Sequence, residues 1–345
     1  MNTFKIGRLN DAVQKIQKRF STQKALILMY HRIAKVDFDP WCLCVTPEHF
    51  AEQLEVLTKY AQPISLKQFV QAHQDGKIPE RAVVVTFDDG YADNLYHAKP
   101  ILERYDIPAT IFVTTGYIGG EREFWWDELE RLLLQPTNLP EKLSLSINGQ
   151  IHQWDVGQAA NYSQKDYLRD SKFDPWKAKP NSRLFFFYCV WDKMRSLSET
   201  EQFRILKDIQ SWSNSQQNLS QSYRPLSPEE LIALGADNLI EIGAHTVTHP
   251  CLSEHSETVQ KNEIQESKIF LENLLNYPIT SFSYPFGNRS DQTVELARTL
   301  GFDCACSTVE DSAWQKSDPF QLPRFAVKNW NGEKFAKQLS RWFYA

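Results

Sequence analysis

The sequence predicts an α/β protein with a mostly parallel sheet, and three observations lead to this class. Short apolar runs rich in β-branched residues alternate with segments whose apolar residues recur at helical spacing, which is typical of parallel strands joined by helices. The chain has 345 residues, enough for one large domain. Its 42% hydrophobic and 23% charged residues are ordinary for a globular protein.

The candidate strands are short apolar runs bounded by turn residues or charges. In chain order they are 25–30, 82–87, 109–114, 239–244, 279–284 and 302–307. Because helical segments separate most of these runs, we expect neighbouring strands to be parallel.

Three helices carry clear signals at their ends or along one face. In "TPEHFAEQLEVLTKY", Thr46 is the expected N-cap and Pro47 takes the first helical position. "SPEELIALG" repeats this arrangement with Ser227 as N-cap and a terminal Gly235. The stretch 257–275 is a longer amphipathic helix.

The alternation of strands and helices stops between 121 and 224. Trp, Gln, Asn and Ser are frequent there, and the run "RLFFFYCVW" is strongly aromatic. We therefore expect 121–224 to be an insertion, a helical cap or subdomain, in a domain made of 21–120 and 225–327. A C-terminal helix is expected over 328–345. The aromatic side chains either line a binding groove or form the insertion's own core.

The first 20 residues have apolar side chains at roughly helical spacing among lysines and arginines. An amphipathic helix over 1–20 would either pack on its own domain or associate weakly with a membrane surface. The N-terminus lacks the apolar region of a secretory signal, and no run approaches the roughly 18 apolar residues of a membrane span. The expected location is cytoplasmic, peripheral to a membrane if the helix binds lipid.

Charge and cysteine content exclude some classes of protein. The net charge of −5 comes from interspersed acids and bases, so no nucleic-acid partner is predicted. Six cysteines form two CxC pairs and two single positions, without any CxxC. We expect buried, free thiols, with a metal site at Cys304 and Cys306 as the alternative.

Two acids directly follow the candidate strand 82–87. In "VVVTFDDGYADN", Asp88 and Asp89 stand side by side before a glycine. The pair either begins an ordinary Asp-Gly turn or belongs to a site, because sites in α/β folds lie at the carboxyl ends of strands. On extended backbone neighbouring side chains point to opposite sides, so that the two acids can face different partners.

A second polar stretch, "EIGAHTVTHP", places His245 and His249 after the strand 239–244. Neutral imidazoles four residues apart can converge on one cation, although two surface histidines are the alternative. Two histidines and one aspartate leave coordination positions open, which is typical of catalytic divalent sites.

Two further strand ends carry candidate groups. "SFSYPFGNRS" places Pro285 and Phe286 in a turn that can hold a backbone amide outward as an oxyanion donor. "MYHRI" places His31 at the end of the first strand. This histidine is either structural or a general acid at the same edge of the sheet.

Together these stretches resemble the motifs of the polysaccharide deacetylase family, the NodB-like carbohydrate esterases. "TFDDGY" is similar to the first motif, "HTVTHP" to the second and "YPFG" to the third, in that order. The resemblance covers about 24–120 and 226–327 and leaves the insertion outside. It implies a distorted (β/α) barrel of the NodB-homology type, usually with fewer than eight strands, here with a large inserted cap region.

The resemblance also implies roles for individual residues. The metal would be bound by Asp89, His245 and His249. Asp88 would be the general base, and the backbone amide of Phe286 would help to stabilise the oxyanion.

Two departures from the family pattern matter. Many members orient the base with an arginine in the third motif, where this sequence has Ser283 or a neighbour. Arg324, in "QLPRFAV", either replaces that arginine or forms a surface ion pair. The usual late histidine is also absent, since His255 is the last histidine. "MYHRI" resembles the permuted branch of poly-N-acetylglucosamine deacetylases, which implies that His31 is the general acid.

The expected function is metal-dependent hydrolysis of the N-acetyl group of an N-acetylhexosamine in a polysaccharide or glycan precursor. The expected partner is an N-acetylated glycan, and the expected cofactor is Zn²⁺, with Co²⁺, Ni²⁺ or Mn²⁺ as alternatives. A glycan-binding protein with a degenerate site is the main alternative function. A glycosidase would need two carboxyl groups about 5 Å or more apart and would leave the histidines unexplained.

Overall fold

A curled, mostly parallel sheet forms the centre of the molecule. The computed structural model describes residues 23–120, 122–135, 137–215 and 223–344, so the expected helix over 1–20 lies outside the described residues. The strands are β1 (Lys24–Tyr30), β2 (Arg32–Ile33), β3 (Cys44–Val45), β4 (Gln62–Pro63), β5 (Ala82–Phe87), β6 (Ala109–Val113), β7 (Lys142–Ile147), β8 (Gln150–Asp155), β9 (Ile240–Ala244), β10 (Ser281–Ser283), β11 (Cys304–Cys306), β12 (Ala313–Trp314) and β13 (Phe325–Ala326).

The main sheet has the strand order β11, β10, β9, β6, β5, β1, β12. All neighbours along this path are parallel except β12, which is antiparallel to β1. The short strand β4 also pairs with β5, and β13 pairs with β1. Parallel pairing brings the carboxyl ends of β1, β5, β6, β9 and β10 to one edge of the sheet.

The segment 322–326 joins the two sides of this sheet. Leu322 pairs with Cys306 of β11, and Phe325 and Ala326 pair with β1. A ring of backbone pairings is therefore completed by a few residues instead of a full strand, and the fold is a distorted barrel. Arg324 lies between the two pairings and is completely buried.

Helices cover the outside of the sheet and build most of the region between β6 and β9. They are α1 (Pro47–Tyr60), α2 (Leu66–Gln74), α3 (Lys99–Tyr105), α4 (Trp125–Leu134), α5 (Gln164–Asp170), α6 (Arg183–Met194), α7 (Glu199–Ser213), α8 (Pro228–Leu234), α9 (Glu257–Leu275), α10 (Asp291–Thr299) and α11 (Gly332–Tyr344). Within the part of the chain that is described, none of the helices has both the length and the apolar character needed to cross a membrane.

The helix ends agree with the signals in the sequence. The side chain of Thr46 accepts a hydrogen bond from the backbone N–H of His49 at the start of α1. Ser227 and Glu230 form a capping box at the start of α8, which ends at Gly235. These helices begin and end where local chemistry predicts, because capping satisfies N–H groups that the helix leaves free.

Alternate residues of β1 face two different cores. Leu26 and Leu28 belong to the large apolar cluster shared with the surrounding helices. Ala25 and Ile27 join Phe112 in a smaller cluster on the other face. Since both faces are filled by apolar side chains, polar groups collect where the strands end.

The segment between β6 and β9 has its own apolar cluster, which includes the buried Trp125 and Phe187. Tyr91 and Tyr117, which follow β5 and β6, belong to the same cluster. The interpretation of the aromatic residues as core is therefore right for Trp125 and Phe187, and this core is shared with the barrel.

A β-hairpin within this segment was not expected from the sequence. Strands β7 and β8 pair antiparallel, with Ile147 opposite Gln150. Asn148 and Gly149 between them have φ of 50° and 76°, the left-handed conformation that tight hairpins favour for Asn-Gly. The hairpin adds two strands to a segment expected to be a helical cap or subdomain, and the Asn-Gly pair in "INGQ" is the local turn signal for it.

The cysteines are free, as expected, but not all are buried. Burial is found for Cys44, Cys251, Cys304 and Cys306, whereas Cys189 is partly exposed and Cys42 is exposed. Position 42 also has a positive φ of 55°, so the expectation of a buried thiol is wrong for a residue in an exposed turn.

Candidate active site

Three side chains meet at the carboxyl ends of β5 and β9. One oxygen of Asp89 lies 3.6 Å from Nε2 of His245 and 3.5 Å from Nε2 of His249. Potential ligand atoms of the three residues all lie within 4.8 Å of one another, and the three side chains are buried. The structure thus brings together the three residues that the sequence suggested as metal ligands.

The chemistry of this donor set fits a divalent cation. Burial lowers the pKa of His245 and, together with the positive charge His245 would carry, lowers that of His249 well below its usual value. Nδ1 of His245 lies 2.8 Å from the carbonyl oxygen of Ser283, which leaves Nε2 free to face Asp89. Neutral imidazoles and a carboxylate in a buried site are the ligands that Zn²⁺ and related ions prefer.

Asp89 needs a positive partner to be ionised at this position. Burial, followed by the negative charges of Asp88 and Asp127, raises its pKa well above the usual value. Its backbone also turns, with a φ of 77° that few non-glycine residues adopt. The two adjacent acids therefore diverge through a left-handed turn, and the expectation that strand alternation separates them is wrong.

Asp88 is held by Arg324 in a two-pronged ion pair. The guanidinium donates to both carboxylate oxygens, at 2.7 Å and 2.6 Å. It also donates to the Ser283 hydroxyl at 2.9 Å and, through Nε, to the carbonyl of Ser307 at 2.9 Å. Burial opposes ionisation of Asp88, but Arg324 and the nearby histidines outweigh it and hold the pKa below its usual range.

The position of Arg324 decides between the two interpretations of this residue. Its side chain has no exposure to solvent, so the alternative of a surface ion pair is wrong. A guanidinium that contacts both carboxylate oxygens fixes the orientation of the carboxyl plane. Arg324 therefore stands where an orienting arginine is needed, although it lies 236 positions from Asp88 in the sequence.

His31 lies at the carboxyl end of β1, next to the same group of acids. The side-chain amide of Asn94 donates to the backbone carbonyl of His31 at 2.9 Å. Asp93 accepts from the N–H of Ile33 and from Nε of Arg32, at 2.9 Å and 3.0 Å. The loop that carries the two acids thus also fixes the chain on which His31 stands.

The electrostatic environment of His31 favours its neutral form. Burial lowers its pKa to about 4; the charge of Asp88 opposes this effect, while Arg324 and His245 add to it.

Phe286 occupies a short turn after β10 in a left-handed conformation, with a φ of 56°. Its ring centroid lies 4.5 Å from that of His249 and 5.9 Å from that of Trp191. The side chain therefore forms part of the wall of the site, in addition to the backbone role expected from the sequence.

A cavity of about 220 Å³ opens onto these groups. It is lined by His31, Trp41, Leu43, Asp88, Asp89, Trp126, Trp191, His245, His249, Phe286 and Thr308. Polar groups at its base are surrounded by three indole rings. The cavity thus combines a candidate metal centre with walls that suit a flat or apolar ligand.

Trp126 is oriented by the loop that follows the two acids. Its Nε1–H donates to the hydroxyl of Tyr91 at 2.8 Å, and that hydroxyl donates to Asp127 at 2.8 Å. The Trp126 ring centroid lies 4.7 Å from that of His249. Hydrogen bonds therefore tie α4 to the loop after β5, and the ring of Trp126 in α4 lies beside the candidate ligand His249.

Comparison with known proteins gives the family. The sequence model described as polysaccharide deacetylase matches residues 75–139 and 201–305, which include both acids and both histidines. The chain belongs to the polysaccharide deacetylase family. Its distorted barrel is the fold of this family, as solved structures show.

Two solved structures share the deacetylase fold over most of the chain. A Streptococcus pyogenes deacetylase, PplD in complex with acetate, covers 92% of this chain and 99% of its own, with 20% identity and a TM-score of 0.52. IcaB from Ammonifex degensii covers 94% and 98%, with 16% identity and a TM-score of 0.57.

Curated relatives of this deacetylase family member match over a shorter length. The poly-β-1,6-N-acetyl-D-glucosamine N-deacetylase of Staphylococcus aureus (strain MSSA476) is 33% identical over 116 residues, 30% of this chain and 40% of that protein. The enzyme of the same name from Staphylococcus epidermidis is 32% identical over 134 residues, 34% of this chain and 46% of that protein. The chain thus aligns with less than half of the length of these relatives.

The family motifs did not reveal the aromatic wall of this candidate site. Trp41 lies in the connection between β2 and β3, whereas Trp126 and Trp191 lie in α4 and α6. No local pattern links the three residues, because only tertiary folding brings them together. The aromatic run "FWWDE" shows only that this part of the chain is rich in tryptophan, and it does not show that Trp126 contacts Tyr91 of the first motif.

Proposed function

We propose that this protein is a metal-dependent deacetylase that hydrolyses the N-acetyl group of an N-acetylhexosamine in a glycan. The observation that carries the proposal is the ionised Asp88, oriented by Arg324, next to a buried set of two histidines and an aspartate. A base and a cation site in one cavity are what hydrolysis of an unactivated amide requires.

Asp89, His245 and His249 would hold the cation. A divalent ion bound there supplies Lewis acidity towards the acyl carbonyl and lowers the pKa of water. Zn²⁺ is the first candidate for this donor set, with Co²⁺, Ni²⁺ and Mn²⁺ as alternatives. The turn at Phe286 would place its backbone amide near the developing oxyanion.

The proposed roles of Asp88 and His31 follow one proton from the attacking water to the leaving nitrogen. Asp88 takes the proton of the attacking water as its oxygen bonds to the carbonyl carbon. The C–N bond then breaks as the leaving nitrogen takes a proton from His31, and the products are acetic acid and the amine, which exchange a proton to give acetate and an ammonium group. Because the pKa of His31 is about 4 in the free protein, His31 must gain its proton during the cycle, and we propose Asp88 as its source.

The substrate class is inferred from the relatives and the cavity. The curated relatives are named for poly-β-1,6-N-acetyl-D-glucosamine. Indole walls around a polar base suit the apolar face of a sugar ring with its acetamido group directed at Asp88. We also propose that 121–224 acts as a cap on the barrel, because its Trp126 and Trp191 line the cavity.

The decisive experiment measures acetate release from N-acetylated amino sugars and their oligomers. The protein is stripped with a chelator and then supplied with Zn²⁺, Co²⁺, Ni²⁺ or Mn²⁺. We expect metal-dependent release that Asp88→Asn abolishes, while Zn²⁺ binding by that variant persists because the ligands remain. A folded protein that binds Zn²⁺ but releases no acetate from any of these sugars would overturn the proposal and favour a glycan-binding role.

A further inference from the structure

The loop between the two proposed histidine ligands has an unfavourable backbone conformation that needs contacts from outside the loop. Thr246 and His249 have φ of 66° and 60°, a left-handed conformation that side chains other than glycine disfavour. Two such residues within one four-residue span persist only when surrounding contacts determine them. The conformation of this span sets where His249 points, and hence whether its Nε2 meets that of His245.

The contacts that fix this loop come from three sides. The backbone N–H groups of Thr115 and Gly116 donate to the carbonyls of Thr246 and Val247, at 3.1 Å and 2.8 Å. The N–H of His249 donates to the Thr246 hydroxyl at 3.0 Å. These bonds leave the N–H groups at the apex of the loop, at 247 and 248, without a backbone partner among the described bonds.

Glu263, on the second turn of α9, binds that apex. One carboxylate oxygen accepts from the N–H of Val247 at 2.9 Å and from the N–H of Thr248 at 2.8 Å. The other oxygen accepts from the hydroxyl of Thr248 at 2.7 Å. A single carboxylate thus makes three hydrogen bonds to the two residues between the ligands.

We infer that Glu263 is a positioning residue for the metal centre, which holds the loop 246–249 in its left-handed conformation and thereby presents His249 to the cation. The inference rests on the proposed function only through the cation site and involves no substrate. Helix α9 contributes no ligand, but through Glu263 it would affect the affinity for the metal. Groups that orient ligands in this way typically contribute 10-fold to 100-fold in affinity.

The test is Zn²⁺ binding, measured by competition with a chromophoric chelator on the full chain without substrate. Glu263→Ala should weaken Zn²⁺ binding by roughly 10-fold or more. Glu263→Gln, which retains an oxygen that can accept from both N–H groups, should stay within a few-fold of the unmodified protein. Glu266→Ala, on the exposed side of the same helix, is the matched control and should bind Zn²⁺ normally.

Thr248→Val, alone and combined with Glu263→Ala, distinguishes a local effect on the loop from general loss of folding. Thr248→Val removes one of the three bonds and should weaken Zn²⁺ binding by a smaller factor, with no further effect in the Glu263→Ala background. Activity of Glu263→Ala should return at saturating Zn²⁺, because the base and its arginine are untouched. Unchanged Zn²⁺ affinity in a folded Glu263→Ala protein would overturn the inference, whereas absence of Zn²⁺ binding in the unmodified protein would refute the metal centre itself.

Discussion

Arg324 and Asp88 form a pair of charges that can only be buried together. Both side chains are almost without exposure to solvent, and they share two hydrogen bonds. Taking either charge out of water alone is strongly unfavourable, whereas the pair is tolerated because each partner satisfies the other. The residue that orients the proposed base is thus also a condition for its burial.

We expect Arg324→Met and Asp88→Asn each to destabilise the fold, because each leaves one charge buried without its partner. The loss should be about 3–5 kcal/mol for a broken buried pair. The double variant removes both charges and should lose less than the sum of the two. Urea unfolding of the four proteins measures this, and strictly additive losses would contradict the coupling.

The effect of replacing His31 should depend on how basic the leaving amine is. His31→Gln should lower turnover of an N-acetyl amino sugar by roughly 100-fold or more, as expected for a lost general acid. An N-acetyl arylamine expels a weakly basic amine and should be affected much less. Zn²⁺ occupancy should not change. Equal losses on both substrates would remove His31 from the role of acid.

At the scale of secondary-structure elements, hydrogen-bonded side chains tie the segment between β6 and β9 to the loop after β5. Trp126, Tyr91 and Asp127 are linked in that order. Burial raises the pKa of Asp127 to about 7, despite the positive charge of Arg32 and the hydrogen bond from Tyr91 that favour ionisation. The orientation of Trp126 in α4 therefore depends on a hydroxyl in the loop after β5.

Tyr91→Phe should loosen Trp126 while leaving the candidate ligands in place. We expect KM for an N-acetylated oligosaccharide to rise several-fold with a smaller change in kcat, because the wall of the cavity is altered and the base is not. Loss of the two hydrogen bonds should also destabilise the fold by about 1–3 kcal/mol. Steady-state kinetics and tryptophan fluorescence check this, with Zn²⁺ affinity as the control. A fall in kcat alone would argue against a role in substrate binding.

The hairpin β7–β8 offers a prediction that concerns stability alone. Gly149 has a φ of 76° and an added Cβ would meet no atom within 4 Å. Gly149→Ala should therefore destabilise the protein by about 1–2 kcal/mol through backbone strain, without any steric clash. Urea unfolding measures the loss, and Zn²⁺ affinity should be unaffected.

Local chemistry explains which elements the sequence could predict. Strand β5 and helix α9 lie where periodicity placed them, and the caps at Thr46 and Ser227 follow from side-chain hydrogen bonding. The predicted strands 279–284 and 302–307 are shorter in the structure, because only their centres pair with neighbours. The hairpin at Asn148 was missed although its turn signal is local.

The candidate site was predictable only as far as its residues follow strand ends. Asp89, His245 and His249 do so, and the structure brings them together. Trp41 and Glu263 carry no local signal, because their positions depend on how separate elements pack. The sequence could suggest Arg324 as the orienting arginine but could not show that it lies beside Asp88. Nothing in "QLPRFAV" indicates that this segment completes the ring of strands.

At the scale of the whole molecule, one arginine between two tyrosine rings joins the segment between β6 and β9 to the barrel. The guanidinium carbon of Arg32 lies 4.5 Å from the ring centroids of both Tyr91 and Tyr223. Arg32 follows β1, Tyr91 follows β5, and Tyr223 precedes the return of the chain to the barrel. The end of the segment between β6 and β9 is thus tied to the residues that follow β1 and β5, the two strands that precede His31 and the two adjacent acids.

We expect Zn²⁺ to stabilise the whole molecule, because its proposed ligands follow two different strands of one barrel. At a free Zn²⁺ concentration 100 times the Kd, the gain should be about 2.7 kcal/mol. Thermal unfolding with and without Zn²⁺ measures the rise in Tm. His249→Ala should unfold at similar temperatures under both conditions; an undiminished rise in that variant would place the ion elsewhere.

The ion pair between Asp88 and Arg324 also has a consequence for biosynthesis. The two residues are 236 positions apart in the chain. A ribosome, which adds roughly 5–20 residues each second, releases Asp88 many seconds before Arg324 exists. During that interval the nascent barrel has an acid without its counter-charge and a ring without its last segment. The proposed base, Asp88, can therefore reach its final state only after Arg324 has been synthesised.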